Sequence, residues 1–289
     1  MLQLVSKDLP KDVQSILESL QNKVNSAGTF KEKVTKAQSL WKSKGDAKGK
    51  IAFETIKKML SEMCVSFKIC NYCEQNEADD IEHITSKNYF PSQAFTWLNY
   101  LLACKHCNTA LKLDKCYILD NNNQPILMKR GTEPHYNAIP IFINPRMEDP
   151  TQFMIINTRS FTFDIFPDLS KIDKYKADKT LEILQLDHHT LSGARREMAK
   201  FYYHRMKLLV DLLDSSSITD MKHLLTPYDD LIDETQSLNQ IKNTVKIILK
   251  REINNAKHPS VWYAIKRIES KVTPKWIHIF NKIPEALNW

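Results

Sequence analysis

The chain has 289 residues, 42% apolar and 26% charged, with a formal net charge of +7. These values fit a globular protein with ample length for a core, and no run approaches the eighteen apolar residues of a membrane span. Only five glycines occur, with neither a GxxxxGKS/T nor a GxGxxG pattern, so there is no recognisable phosphate-cradling loop; any nucleotide hydrolysis is expected on another chain.

In chain order, the start MLQLVSKDLP lacks the basic-then-apolar pattern of a secretory signal, and a cytoplasmic location follows as the expectation. Apolar positions at helical spacing predict helices over 9–25 (Val13, Ile16, Leu17, Leu20, Val24), over 30–41, and from Ile51 to about Met63, with a break at 44–49. Residues 30–60 carry nine lysines against Glu32, Asp46 and Glu54. That face either tracks phosphates or is simply a solvated helix surface. A short strand is expected around Ile81–Ile84, then a loop, then a helix opened by the second of two cysteine pairs. Residues 118–150, with five prolines and Asn121-Asn122-Asn123, predict an irregular wrap, and the alternation in 153–166 a small hairpin. After Pro167 helices resume, including a long one through Leu191, Met198, Tyr202, Met206 and Leu212, a break at Ser215–Ser217, and further helices over 236–254 and 259–271. The fold class expected is α+β and mostly α-helical, in three regions: 1–62, helical and basic, a candidate partner-docking region; 63–117, a metal-stapled core; and 118–289, an irregular and β-hairpin segment followed by helices.

Cys70 and Cys73, thirty intervening residues, then Cys104 and Cys107 form two Cys-x-x-Cys knuckles. Four soft thiolates so spaced are the ligand set of structural zinc, and in the cytosol that use is commoner than disulfides. Cys64 and Cys116 lie outside the knuckles and read as small buried apolar residues. Between the knuckles lies Glu82-His83, and Asn108 follows the second at once. Neighbours on a strand point to opposite faces, so acid and imidazole serve one centre only where the chain turns. Glu82 and the Asn108 amide oxygen offer hard donors to Mg²⁺ or Mn²⁺, and His83 a base near neutral pH. The pair His188-His189 fits a cap or surface position better than a second metal site. Trp262, Tyr263 and Trp276 fit core or interface aromatics better than base-stacking platforms.

The segment IEHITSKNYFPSQAFTWLNYLLACKHCNTALK resembles an HNH, or ββα-metal, endonuclease module. The resemblance implies a zinc-stapled, treble-clef-like ββα core flanked by N- and C-terminal helical regions. Glu82 matches the metal-binding acidic position and His83 the general base. Asn99 matches the middle Asn that fixes the loop carrying the base, and Asn108 the third position. Lys112 falls where these modules often carry a basic residue, for a phosphate contact or for helix solubility. With the helical lead-in, INPRMEDP (143–150) and LEILQLDHHTLSGARRE (181–197), the chain resembles PtuB-like HNH proteins. These are nuclease subunits of Septu and some retron anti-phage systems. That implies phosphodiester hydrolysis leaving 5′-phosphate and 3′-hydroxyl ends. It also implies an ABC-type (PtuA-like) ATPase partner and, in the retron case, a reverse transcriptase with its msDNA. DNA is the favoured substrate; an RNase or tRNase on the same scaffold, or a non-catalytic zinc adaptor binding nucleic acid, are the alternatives.

Overall fold

A computed structural model describes residues 1–226 and 235–289. The described chain is mostly helical with three small two-stranded sheets, and it divides into two compact units. One comprises Met1–Ile155 and Phe163–His188, the other Ile156–Thr162 and His189–Trp289.

The first unit begins with three helices, α1 (Lys11–Asn25), α2 (Phe30–Ser43) and α3 (Ala47–Glu62). Thr29 and Glu32 form a reciprocal capping box on α2, which explains why that helix starts where it does. Helix α3 begins earlier than its apolar spacing predicts. The Asp46 carboxylate accepts the Gly49 N–H at 2.9 Å, satisfying an end donor that the apolar pattern does not register. Gly49 is required by close approach: a Cβ there would lie 1.7 Å from the Lys44 carbonyl oxygen. The turn between α2 and α3 is therefore tighter than the predicted break, and it holds Lys44 in the left-handed region at φ 60°.

Strands β1 (Asp80–His83) and β2 (Tyr100–Ala103) pair with Asp80 opposite Ala103, Ile81 opposite Leu102, Glu82 opposite Leu101 and His83 opposite Tyr100. Alternation sends Ile81, His83, Tyr100 and Leu102 to one face. Tyr100 and Leu102 join Val13, Leu17, Phe53, Ile56 and Leu60 of α1 and α3 in one core. The apolar faces of the N-terminal helices are thus spent on this hairpin, so regions 1–62 and 63–117 share one interior. Beyond it, β3 (Tyr117–Leu119) pairs with β4 (Pro125–Leu127), giving a hairpin where composition predicts only irregular chain. The Asp120 carboxylate accepts the N–H groups of Asn122 and Gln124, which closes its turn. Strands β5 (Met154–Ile156) and β6 (Phe163–Ile165) form the third sheet, and α4 (Lys171–Leu184) completes the unit.

The second unit holds α5 (His189–Asp214), α6 (Ile218–Leu224), α7 (Leu238–Asn254) and α8 (Pro259–Ala264). The chain then runs through a π-helical turn (Ile265–Glu269) into α9 (Ser270–Val272) and α10 (Pro274–Lys282). Trp262, Trp276 and Phe280 pack within it as core aromatics, with Tyr202 stacked on Trp262 at 5.3 Å. Among the described residues no helix is long and apolar enough to cross a membrane.

Candidate metal centre and the hairpin beside it

All four knuckle cysteines are buried, and their sulfurs lie within 4.8 Å of one another, Cys73 Sγ and Cys104 Sγ being 3.9 Å apart. The first knuckle is closed by Cys70 N–H to the Asn76 carbonyl (2.8 Å) and Glu74 N–H to the Cys70 carbonyl (2.9 Å), with Glu74 at φ 57°. Buried Asn71 joins it to the hairpin, its Nδ2 donating to the Leu102 carbonyl at 2.9 Å. The second knuckle leaves β2 directly, and the Cys107 N–H points at Cys104 Sγ at 3.4 Å. Four sulfurs this close cannot all be anionic unaided. Their mutual contacts hold Cys104 well down toward the thiolate and push Cys107 well up. A dication removes that conflict, and the donor set is that of tetrahedral zinc with no open position. The cluster is consistent with a structural zinc site. Cys116, buried beside Tyr89, Ile118 and Met128, has its thiol pushed up to about 11 by burial and is an inert packing residue.

The second knuckle opens a π-helical segment, His106–Lys112, which lies on the Asp80–Glu82 face of the hairpin. Two rungs join them. Asn108 Nδ2 donates to Asp80 Oδ2 at 3.2 Å, and Lys112 Nζ lies 2.5 Å from Glu82 Oε1. Lys112 is 1% exposed and also donates to the His83 carbonyl oxygen at 2.7 Å. Neither sequence expectation for Lys112 describes this placement: it is the buried counter-ion of the acid. Burial raises the Glu82 pKa, and Lys112, then Lys87, oppose the rise.

His83 faces the other way. Its Nε2 lies 2.9 Å from the Ala94 carbonyl oxygen, which also accepts the Tyr100 hydroxyl at 2.6 Å. A carbonyl only accepts, so Nε2 carries the proton and Nδ1 is the acceptor nitrogen. The ring sits 4.1 Å from the Trp41 ring and 5.3 Å from Tyr100, both edge-on. Burial, then the Lys87 charge, hold His83 well below its ordinary pKa, so it is neutral at pH 7. Strand β1 runs through His83, and the expected turn comes one residue later. Glu82 and His83 consequently leave opposite faces of the strand.

Asn99 ties that end. Its Oδ1 accepts the Thr85 N–H at 2.6 Å, and its Nδ2 donates to the carbonyls of Thr85 (3.0 Å) and Gln93 (2.9 Å), clamping both sides of the loop after His83. Buried Arg146 braces the start of β2 from outside: its guanidinium donates to the Tyr100 carbonyl at 2.5 Å and stacks on Trp97 at 4.5 Å. Sequence reasoning assigned no role to Arg146, Asn71, Trp41 or Lys87. Arg146 lies within INPRMEDP, Lys87 within the segment that carries the HNH resemblance and Asn71 inside the first knuckle; Trp41 gave no signal.

Among the described residues, only the four cysteines form a group of three or more His, Cys, Asp or Glu side chains placed to hold one metal ion. Fold and site thus define a mostly helical protein built around a buried four-cysteine metal-binding hairpin. Compared with models of known families, with curated proteins and with solved structures, the chain matches none.

Proposed function

We propose that this protein is a metal-dependent HNH endonuclease acting on nucleic-acid phosphodiesters, DNA favoured, as the nuclease effector of an anti-phage complex with an ABC-type ATPase. The observation that carries the reading is His83. It is a neutral imidazole whose Nε2–H is committed to a backbone carbonyl, at the end of a strand clamped by Asn99, one residue from a carboxylate. An oriented, unprotonated imidazole is what a general base requires. Its Nδ1 would take the proton of the attacking water. Glu82 and the Asn108 side-chain oxygen are the hard donors that would hold Mg²⁺ or Mn²⁺; they lie on the opposite face of β1 from His83, so the reading requires ion and base to meet around the end of the strand. Such an ion would supply charge stabilisation at the phosphate. Lys112 now neutralises Glu82 and would have to yield to it. Zinc in the cysteine cluster would build the scaffold and take no part in reaction.

The His83→Ala protein is expected to keep its zinc and its helix content yet lose plasmid or tRNA cleavage by at least about a hundredfold. Unchanged cutting would remove His83 from the reaction. Running plasmid and total tRNA side by side, with and without the ATPase, separates the DNA and RNA versions.

A second reading is favoured by the Glu82–Lys112 pair and the Asn108–Asp80 bond: a non-catalytic zinc module that binds nucleic acid or a partner. It asks for nothing beyond the cysteine cluster. It predicts no second divalent-ion site, which titration with Mn²⁺ on the zinc-loaded protein would reveal. In either case, with the apolar faces of α1 and α3 spent in the core, the N-terminal region would dock through its outer surface, which is basic with Val5 and Ile51 exposed.

A further inference from the structure

The end of β1 carries more positive charge than the fold needs. Lys44, at the C-cap of α2, places its ammonium 3.3 Å from the Trp41 ring centroid and 4.3 Å from that of Phe53. Lys87, from the loop after His83, reaches the same indole at 5.6 Å. His83 lies against that ring too. Both lysines are half-buried, and among the described residues neither has a carboxylate at ion-pairing distance. Glu82 is nearby, but its close partner is Lys112.

Two ammonium groups drawn from water onto one indole cost free energy through desolvation and mutual repulsion, and cation–π contact returns only part of it. Burial, then the Lys87 charge, bring the Lys44 pKa down to about 7. Burial lowers Lys87 as well, and its charge bears on both Glu82 and His83. Gln or Met at either place would pack with less penalty. An anion seated between the lysines would relieve both terms together.

We infer that Lys44 and Lys87, held on Trp41 beside His83, form the seat for a backbone phosphate of a nucleic-acid strand. The inference rests on the nuclease reading of Glu82 and His83. It adds that the seat is built jointly by the N-terminal helices and the hairpin, and that it recognises backbone and not base. A seat of this kind takes DNA and RNA alike.

The test uses full-length, zinc-loaded protein without added divalent ions, and short single-stranded DNA and RNA oligonucleotides, with binding followed by fluorescence anisotropy across a salt series. Lys44→Gln and Lys87→Gln are each expected to weaken binding about tenfold. Each should also flatten the slope of log K against log salt by about 0.7, whatever the sequence. Lys44→Arg and Lys87→Arg restore the charge and should restore most of the affinity. Wild-type affinity and slope in both Gln variants, with zinc content and circular dichroism unchanged, would overturn the seat. Cleavage with Mg²⁺ is scored separately. If the wild type cuts and the Gln variants bind normally, the seat falls and the nuclease stands. If the wild type never cuts but the Gln variants lose binding and slope, the phosphate seat stands and the nuclease reading falls.

Discussion

Lys112 shows how far a single side chain can redirect a site. At the surface it would serve solubility or touch phosphate; buried at 1% exposure, it neutralises Glu82 and holds the His83 carbonyl. Breaking such a pair strands a charge in the interior, so Lys112→Met should cost about 3–5 kcal/mol of stability. The double variant Lys112→Met/Glu82→Gln, with no stranded charge, should recover most of that in a thermal melt. The same pair tests the proposed cation. Mn²⁺ should raise the melting temperature of Lys112→Met but not of the double variant; no response in either would remove Glu82 from the ligand set. Lys112 sits in CNTALK, where resemblance marks a basic residue, yet nothing local in the sequence tells that it turns inward. Its burial depends on a strand some thirty residues earlier lying beneath the helix.

Among the elements, the β1–β2 hairpin was half visible. Ile81–Ile84 reads as one short strand, and the knuckles announce the ends of the loop between. Strand β2 is buried at all four positions, so it lacks the alternation that marks a strand with one wet face. The β3–β4 hairpin hid behind prolines and asparagines that belong to its turn and edges. Asn99 belongs to this scale because it ties a whole loop. Asn99→Ala would leave the Thr85 N–H and carbonyl without their Asn99 partner and the Gln93 carbonyl with only the Thr96 N–H, a loss of about 2–3 kcal/mol. Hydrogen exchange over residues 85–94 should rise while that of α1 and α3 holds. A uniform rise across all three would show that Asn99 supports the unit at large and not the loop.

For the molecule as a whole, two compact units with the metal cluster confined to one imply separable responses to metal loss. Calorimetry is expected to resolve two transitions. A strong zinc chelator should lower one of them by about 10 °C or more and leave the other in place, since structural zinc contributes folding free energy only where its ligands converge. A single transition that shifts as one would mean that the units unfold together. The boundary between the units escapes the sequence because the chain crosses it three times, twice within the β5–β6 hairpin and once at His188–His189 between α4 and α5, and no composition shift or linker marks any of them.

The spacing of Cys70, Cys73, Cys104 and Cys107 determined the metal centre on its own, because two short knuckles leave four soft donors few other uses. Helical periodicity likewise determined α1, α2, the body of α3 and the long α5, though not the start of α3 at its Asp46 cap. What the tertiary structure alone decided was facing: Glu82 toward the knuckle helix and Lys112, His83 toward Trp41, Lys44 and Lys87. A strand sends neighbours to opposite sides, but which side meets which partner depends on the packing of segments far apart in the chain.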